Sequence, residues 1–484
     1  MDYIRVGLDF GTHQTKICVQ TTPDEGHGEP IYEFFQFKDL HGNKQYFLPS
    51  LIQINEDNTL SYGYVDSTRE KDAVEKPVYS LNLINSADFG IAETASMLYD
   101  KYATENNNPD DMTVLAEMLK VRKQKIIVKR KIQEDQAKGE YSRKLEDYHR
   151  KRNVYRYFKQ ATFAEREWNK KIDCKTLSIW YISYVIFLLE EEYGQTFTIN
   201  MGIPADEKTF EQKKRLAVEV LLSAYNLVEN VYENNMQEFL NETVDQLLAK
   251  TEYKKYSKEA KDEYAINVFP EAYAGLVTLT SKGKLPPERM SLTADIGGGT
   301  TDVSFFIIEN DNPIIYRYWS IPRGLNYIAE KSGFDYAEGN FVRKANKDII
   351  KNFNHKKMEI VSNLVKDLAR QLTKETSIPT SSLYNALENR IIVYNGGGST
   401  HPFLTGPVKP FTDVKLIDSG MWKEENIVDK AKVSPLCQLL TTAYGLSIGE
   451  KDEDVKLSMF TSLFKHLSKD SEPQRYNYID KDLC

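Results

Sequence analysis

Residues Asp295-Ile-Gly297-Gly298-Gly299-Thr300-Thr301-Asp302 put two carboxylates, three glycines and two hydroxyls into eight positions. Glycine accepts the φ > 0 conformations that turn successive backbone N–H groups toward one point, so such a turn can cradle a polyphosphate. The flanking carboxylates can hold a hydrated Mg²⁺ and orient a nucleophile. A plain turn needs neither carboxylates nor hydroxyls. Ser291–Ile296 before the turn reads as a strand. After it, Val303, Phe305 and Ile307 alternate with Asp302, Ser304 and Phe306, the period of a second strand. The unit is a hairpin, and no GxxxxGK[ST] loop accompanies it. A second strand–turn–strand of the same plan opens the chain. Asp9-Phe-Gly11-Thr12-His13-Gln14-Thr15-Lys16 lies between the apolar runs 4–8 and 17–19. A third glycine cluster, Gly396-Gly397-Gly398-Ser399-Thr400-His401, follows the apolar run Ile391–Tyr394.

The elements that must position these loops are those of a large mixed α/β chain. At 484 residues it can bury sizeable cores and divide into two or more domains. The net charge of −8 fits a soluble protein and gives no sign of nucleic-acid binding. Cys18, Cys174, Cys437 and Cys484 show no CxxC spacing, which fits reduced thiols and no structural zinc. No basic-then-apolar leader opens the sequence. The most apolar run, Leu177–Leu189, falls short of the roughly 20 residues a membrane span needs and is expected to be a core helix. These features together lead to the expectation of a cytoplasmic protein.

The order and spacing of the three glycine clusters resemble the actin-like ATPase superfamily, which includes DnaK-type (heat-shock 70 kDa class) chaperones, actin, MreB and the segregation protein ParM. That resemblance implies two ribonuclease-H-like lobes with helical insertions, ATP or ADP with Mg²⁺ between them, and slow hydrolysis of ATP. The first hairpin then becomes a phosphate loop of Asp9, Gly11, Thr12, His13, Gln14 and Lys16. The second becomes another, of Gly297, Gly298, Gly299, Thr300 and Thr301. The third becomes an adenosine loop of Gly397, Gly398, Ser399 and His401, with His401 where chaperones carry a stacking arginine. Asp9 and Asp295 are expected to face the metal. Lys16 matches the lysine of actin and ParM. Pro270-Glu271 is similar to a Pro-Glu step of ParM at the first hinge, so Glu271 is the expected water-orienting acid, with Asp295 and Asp302 beside it. Gly324 in Ser320-Ile-Pro-Arg-Gly324 resembles the second hinge. Asp367, Arg370, Gln371 and Lys374 have a spacing comparable to adenine contacts of the chaperones. The lysine that chaperones carry in a Phe-Asp-x-Lys-Arg-Leu-Ile segment has no counterpart in the nearest match, Val78–Ile84.

The resemblance divides the chain into lobe I (1–285; core 1–35 and 172–285, insertion about 36–171), lobe II (286–432, insertion about 326–384), a closing helix at 433–448 around Ala443-Tyr444-Gly445, and a polar tail at 449–484. Within the insertion, 110–171 reads as a charged helical hairpin with a turn at Lys138-Gly139. Its stretch 120–171 holds 18 Lys and Arg against 7 Asp and Glu. A solvated helix pair explains that composition better than a docking face, though an acidic protein partner could bind there. Three functions follow. The first is a nucleotide-driven, chaperone-like switch without a peptide-binding domain. The alternative is a ParM-type filament protein that self-associates. A small-molecule kinase ranks last, because no substrate-deprotonating Asp motif is identifiable.

Overall fold

A computed structural model describes residues 2–23, 29–39, 42–55, 57–63, 120, 154–164, 166–205, 208–280, 291–309, 312–333, 341–375, 380–381, 384, 390–422 and 425–449. The chain forms two compact units. One comprises Met1–Asp66, Arg152–Lys331 and Tyr336–Cys484, the other Ser67–Lys151 and Ser332–Asp335. The second unit falls almost wholly outside the described residues, and with it the Lys138-Gly139 turn. The polar tail from 450 also lies outside them.

The first unit is mixed α/β, built on a six-stranded and a five-stranded sheet. Strands β1 (Tyr3–Phe10), β2 (Gln14–Thr22) and β3 (Ile31–Phe34) form an antiparallel meander, and β4 (Thr198–Ile203) and β5 (Ile266–Pro270) extend it in parallel beside β1. The order is β5-β4-β1-β2-β3, with the short strand Leu48–Pro49 also paired to β2. The second sheet repeats this plan. Strands β6 (Ser291–Ile296), β7 (Thr301–Glu309) and β8 (Asn312–Ile321) make the meander, while β9 (Ile391–Asn395) and β10 (Asp413–Leu416) run parallel beside β6, in the order β8-β7-β6-β9-β10. β4 and β6 are buried at every position and β1 over its last five, as strands covered on both faces should be.

Its helices include α1 (Phe158–Phe163), α2 (Cys174–Tyr193), α3 (Phe210–Tyr225), α4 (Glu271–Thr280), α5 (Leu325–Ser332), α6 (Lys347–Glu375) and α7 (Cys437–Ile448), with shorter ones such as Met236–Asn241, Val244–Lys250 and Lys258–Glu263 between α3 and β5. The apolar run 177–189 lies in α2. Asp173 caps that helix by accepting from the N–H groups of Lys175 (2.9 Å) and Thr176 (3.2 Å). Its apolar side chains surround the axis, which is the pattern of a core helix. Among the described residues no helix is long and apolar enough to cross a membrane. Helices α4 and α7 each touch both sheets and pack on one another. At their crossing a Cβ on Gly445 would collide with the Ala274 carbonyl oxygen, so glycine there sets the approach of the two backbones. Asn200 of β4 donates to the carbonyls of Leu446 and Gly449, both at 2.7 Å, and fixes the end of α7.

The structure corrects the expected insertion boundary and its all-helical reading. Val154–Arg156 is a strand paired with Leu51–Ile54, and α1 follows it with Phe158 and Phe163 fully buried. The core therefore resumes near 154, not at 172. The charge excess of 120–171 averages over this short apolar piece and hides it. A deletion of 120–171 would therefore remove part of the core.

Lys357 on α6 supports the third glycine cluster from behind. Its buried amine donates to Tyr394 Oη (3.0 Å) on β9 and to the Leu404 carbonyl (2.5 Å). Burial pushes its pKa down to about 7. The folded state thus holds fewer protons than the unfolded chain between about pH 7 and 10.4, and stability from this group rises with pH in that window. Urea unfolding at pH 8–10 should show the parent gaining on Lys357→Met, at most by about 1.4 kcal/mol per pH unit. Parallel profiles would contradict the buried amine.

Candidate functional site

The two meander turns open onto one cleft. Its lining comes from Asp9, Gly11, Thr12, His13, Gln14 and Lys16 of the first turn, from Asp295, Gly297, Gly298, Gly299 and Thr300 of the second, and from Gly396 and Gly397 of the third cluster. Glu271 at the start of α4, Lys159 of α1, and Leu439 and Thr442 of α7 close it. Equivalent positions of two like-ordered sheets therefore face a shared space.

Register explains the first ion pair. Asp9 and Lys16 are direct cross-strand partners on β1 and β2, so their side chains leave the same face and meet at 2.8 Å. Burial alone would depress the Lys16 pKa. The carboxylates of Asp9, then Asp295 and Glu271, outweigh it and hold the amine above its usual value. Register also sets Asp295 directly opposite Asp302, across the β6–β7 turn. Two like charges there cannot both ionise cheaply. Burial first, then Asp302, Glu271 and Asp9, push Asp295 up to about 8. Asp302 is raised as well, by burial and then by Glu271, against hydrogen bonds from Ser320 and Thr300. Asn395 Nδ2 (3.1 Å) and Thr442 Oγ1 (3.4 Å) donate to Asp295 Oδ2, and Thr300 Oγ1 donates to Asp302 Oδ2 at 2.9 Å.

Glu271 pairs with Lys159 at 2.6 Å, both side chains nearly buried. Sequence reasoning missed this lysine. The segment Tyr157-Phe158-Lys159-Gln160 follows a strand that pairs with 51–54, but about a hundred intervening residues hide the link from any local pattern. The nearest match to the chaperone lysine segment, 78–84, carries no lysine and lies outside the described residues; Lys159 is a second lysine on the cleft wall. Thr442, one residue before Ala443-Tyr444-Gly445, and Asn395, at the end of β9, were also missed.

Not every expected residue reaches the cleft wall. Asp302 and Thr301 lie behind it, and Thr301 Oγ1 donates to the Arg323 carbonyl at 2.8 Å. Gly324 backs the second turn, where a Cβ would strike the carbonyls of Gly297 and Gly298 at 2.5–2.6 Å. Gly398 packs against Ile296, so its constraint is packing rather than ligand approach, and Gly398→Val should damage the loop itself. Ser399 Oγ caps its own turn by donating to the Gly396 carbonyl (2.7 Å). His401 follows the turn, its pKa lowered by burial and by Arg343. Asp367, Arg370, Gln371 and Lys374 line a separate hollow of about 370 Å³ with Lys208 and Trp319, which shares no lining residue with the cleft.

A divalent cation suits this donor set. Asp9, Asp295 and Glu271 line the cleft with two lysines, Asp302 lies behind the wall, and burial with these carboxylates makes Asp295 resist ionising. Among the described residues no group of three or more His, Cys, Asp or Glu is arranged to hold a metal by itself. A cation here would take Asp9 and Asp295 as ligands or through water, with the rest of its shell from water and phosphate. The glycine turns supply the N–H groups for that phosphate. No protein-family model matches this chain, and a search of curated proteins returned no match.

The raised acids carry a signed pH dependence. A carboxyl with its folded pKa near 8 gives stability that is full below the unfolded value near 4 and is lost as pH rises through 8. In EDTA, the parent should lose stability relative to Asp295→Asn between pH 6 and 9, read as urea midpoints. A constant difference would show that Asp295 is not protonated in the metal-free cleft.

Proposed function

We propose that this chain is a Mg²⁺-dependent ATPase of the actin-like superfamily, a two-lobed protein that acts as a nucleotide-driven conformational switch. The observation that carries the reading is the convergence of three glycine clusters, Glu271 and two lysines on one cleft between two sheets of like strand order. The turns at 11–14 and 297–300 bind the β- and γ-phosphates through main-chain N–H groups. Mg²⁺, when bound, neutralises charge on those phosphates. Lys16 and Lys159 stabilise charge that grows on the γ-phosphoryl oxygens. Glu271 orients a water and holds its proton as the water oxygen bonds to the γ-phosphorus and the bond to the bridging oxygen breaks. The pairing of Glu271 with Lys159 supports this reading, since it keeps the acid and a positive charge side by side on the cleft wall.

Lys159 supports the chaperone-like switch as a second lysine on the cleft, although its Tyr-Phe-Lys-Gln segment does not match the Phe-Asp-x-Lys-Arg-Leu-Ile segment in which those chaperones carry theirs. A ParM-type filament is the second reading, favoured by the Asp9–Lys16 pair and by Pro270-Glu271. A protein partner for the basic stretch 120–171 belongs to the proposal too, although most of that stretch is outside the described residues.

Glu271→Gln should bind ATP like the parent and hydrolyse it about 10²-fold more slowly in single turnover. Lys159→Ala should also slow the chemical step while leaving ADP affinity within a few-fold. An unchanged single-turnover rate in both variants would remove the hydrolytic roles. Sedimentation with ATP separates the readings, because a filament protein pellets above a critical concentration and a switch stays in the supernatant.

A further inference from the structure

Residues 157–166 run from the first-sheet side of the cleft to the second turn and meet it at several points. Tyr157, which leads into α1, has φ of +66°, a left-handed conformation that costs a non-glycine residue free energy and persists only where its surroundings hold it. Its ring lies between two partners. The Arg166 guanidinium carbon sits 4.2 Å from the ring centroid, and His13 of the first turn meets the ring edge-on at 5.4 Å. His13 in turn hydrogen-bonds Asn326 Oδ1 on α5. Four residues further along that helix, on the same face, Glu330 pairs with Arg166 at 3.0 Å. The contacts Arg166–Tyr157–His13–Asn326 therefore close on themselves through α5 and Glu330.

This ring grips the second turn. The N–H groups of Leu325 and Asn326 donate to the carbonyls of Gly297 (3.0 Å) and Gly298 (2.8 Å), so α5 and the turn move as one body. Gln160 Nε2 donates to the Gly299 carbonyl at 3.2 Å, and Arg166 Nη1 donates to Gln160 Oε1 at 3.3 Å. One side chain, Arg166, thus touches every arm of the arrangement. The backbone at Gly298 and Gly299 approaches His13, Thr12 and Gln160 too closely for a Cβ, so the two turns are drawn together in this conformation.

We propose that residues 157–166 form a strap that locks the two turns together, and that a nucleotide bound in the cleft departs only after Arg166 releases Glu330 and Gln160. The proposal rests on the nucleotide-binding reading for its release step alone; the strap itself is independent of it. Both ends of the Arg166–Glu330 pair are partly exposed, at 30% and 52%, so changing them should not unfold the chain. Glu330→Arg replaces attraction with repulsion, and the exchange Arg166→Glu with Glu330→Arg restores the ion pair alone, since a glutamate at 166 can neither donate to Gln160 nor stack as a cation on Tyr157.

Two readouts test this on the full chain. Amide hydrogen exchange without nucleotide should rise by roughly fivefold at 297–300 and 325–332 in Glu330→Arg and fall back in part in the exchanged pair. Release of fluorescently labelled ADP with Mg²⁺ should accelerate by a similar factor and be slowed again in part in the same way. Parental hydrogen exchange in Glu330→Arg would overturn the strap, as would a rise that the exchanged pair does not lower at all. Raised hydrogen exchange with unchanged ADP release would overturn its control of departure. If the parent binds no labelled ADP, the nucleotide reading fails and takes the release step with it, while hydrogen exchange still decides the strap.

Discussion

Three carboxylates, Asp9, Glu271 and Asp295, line a space that offers two lysines, with Asp302 behind the wall, and much of the site's arrangement answers that imbalance. Asp9 and Glu271 each hold one lysine, leaving Asp295 and Asp302 opposite each other in a dry β-turn. Burial makes the repulsion expensive, because in a low-dielectric surrounding charge cannot be screened by water. Asn395 and Thr442 point donors at Asp295, and Thr300 points one at Asp302, but neutral donors cannot cancel a full charge. The cleft at neutral pH therefore either keeps a proton or recruits a cation. That physical demand is what the proposed Mg²⁺-dependent function would satisfy.

The geometry that creates the demand comes from duplication of a strand order. Each sheet turns at the equivalent point of its first hairpin, and α4 and α7 contact both sheets, so the two turns face the same cleft. Small residues permit the approach. Gly445 lets the helices cross, and Gly324 lets the segment before α5 lie against the second turn. The strap at 157–166 then adds polar contacts between turns that are otherwise linked through the helices.

Much of this was legible from local pattern. The Asp9 and Asp295 hairpins announce themselves, because glycine clusters between apolar strands with flanking acids leave few alternatives. The cross-strand meeting of Asp9 and Lys16 follows once the hairpin is accepted, since their spacing fixes the register. Lys159 was illegible for a topological reason: its strand partner is about a hundred residues away, and the charged stretch between masks the short apolar run that buries Phe158 and Phe163. Gly398 shows the converse. Its place in a glycine cluster suggested a ligand contact, whereas the side chain of Ile296 is what excludes a Cβ. Thr442 and Asn395 carry no pattern at all, because their role depends on where α7 and β9 end relative to Asp295.

Calorimetric titration of Mg·ADP into the full chain, repeated in buffers of different ionisation enthalpy near pH 7, tests the central claim most directly. The claim predicts saturable binding at one site that requires Mg²⁺ and releases close to one proton, as the cation takes the place of the proton on the Asp295–Asp302 pair. Binding without Mg²⁺ at equal strength and without proton release would contradict it, and so would the absence of binding altogether.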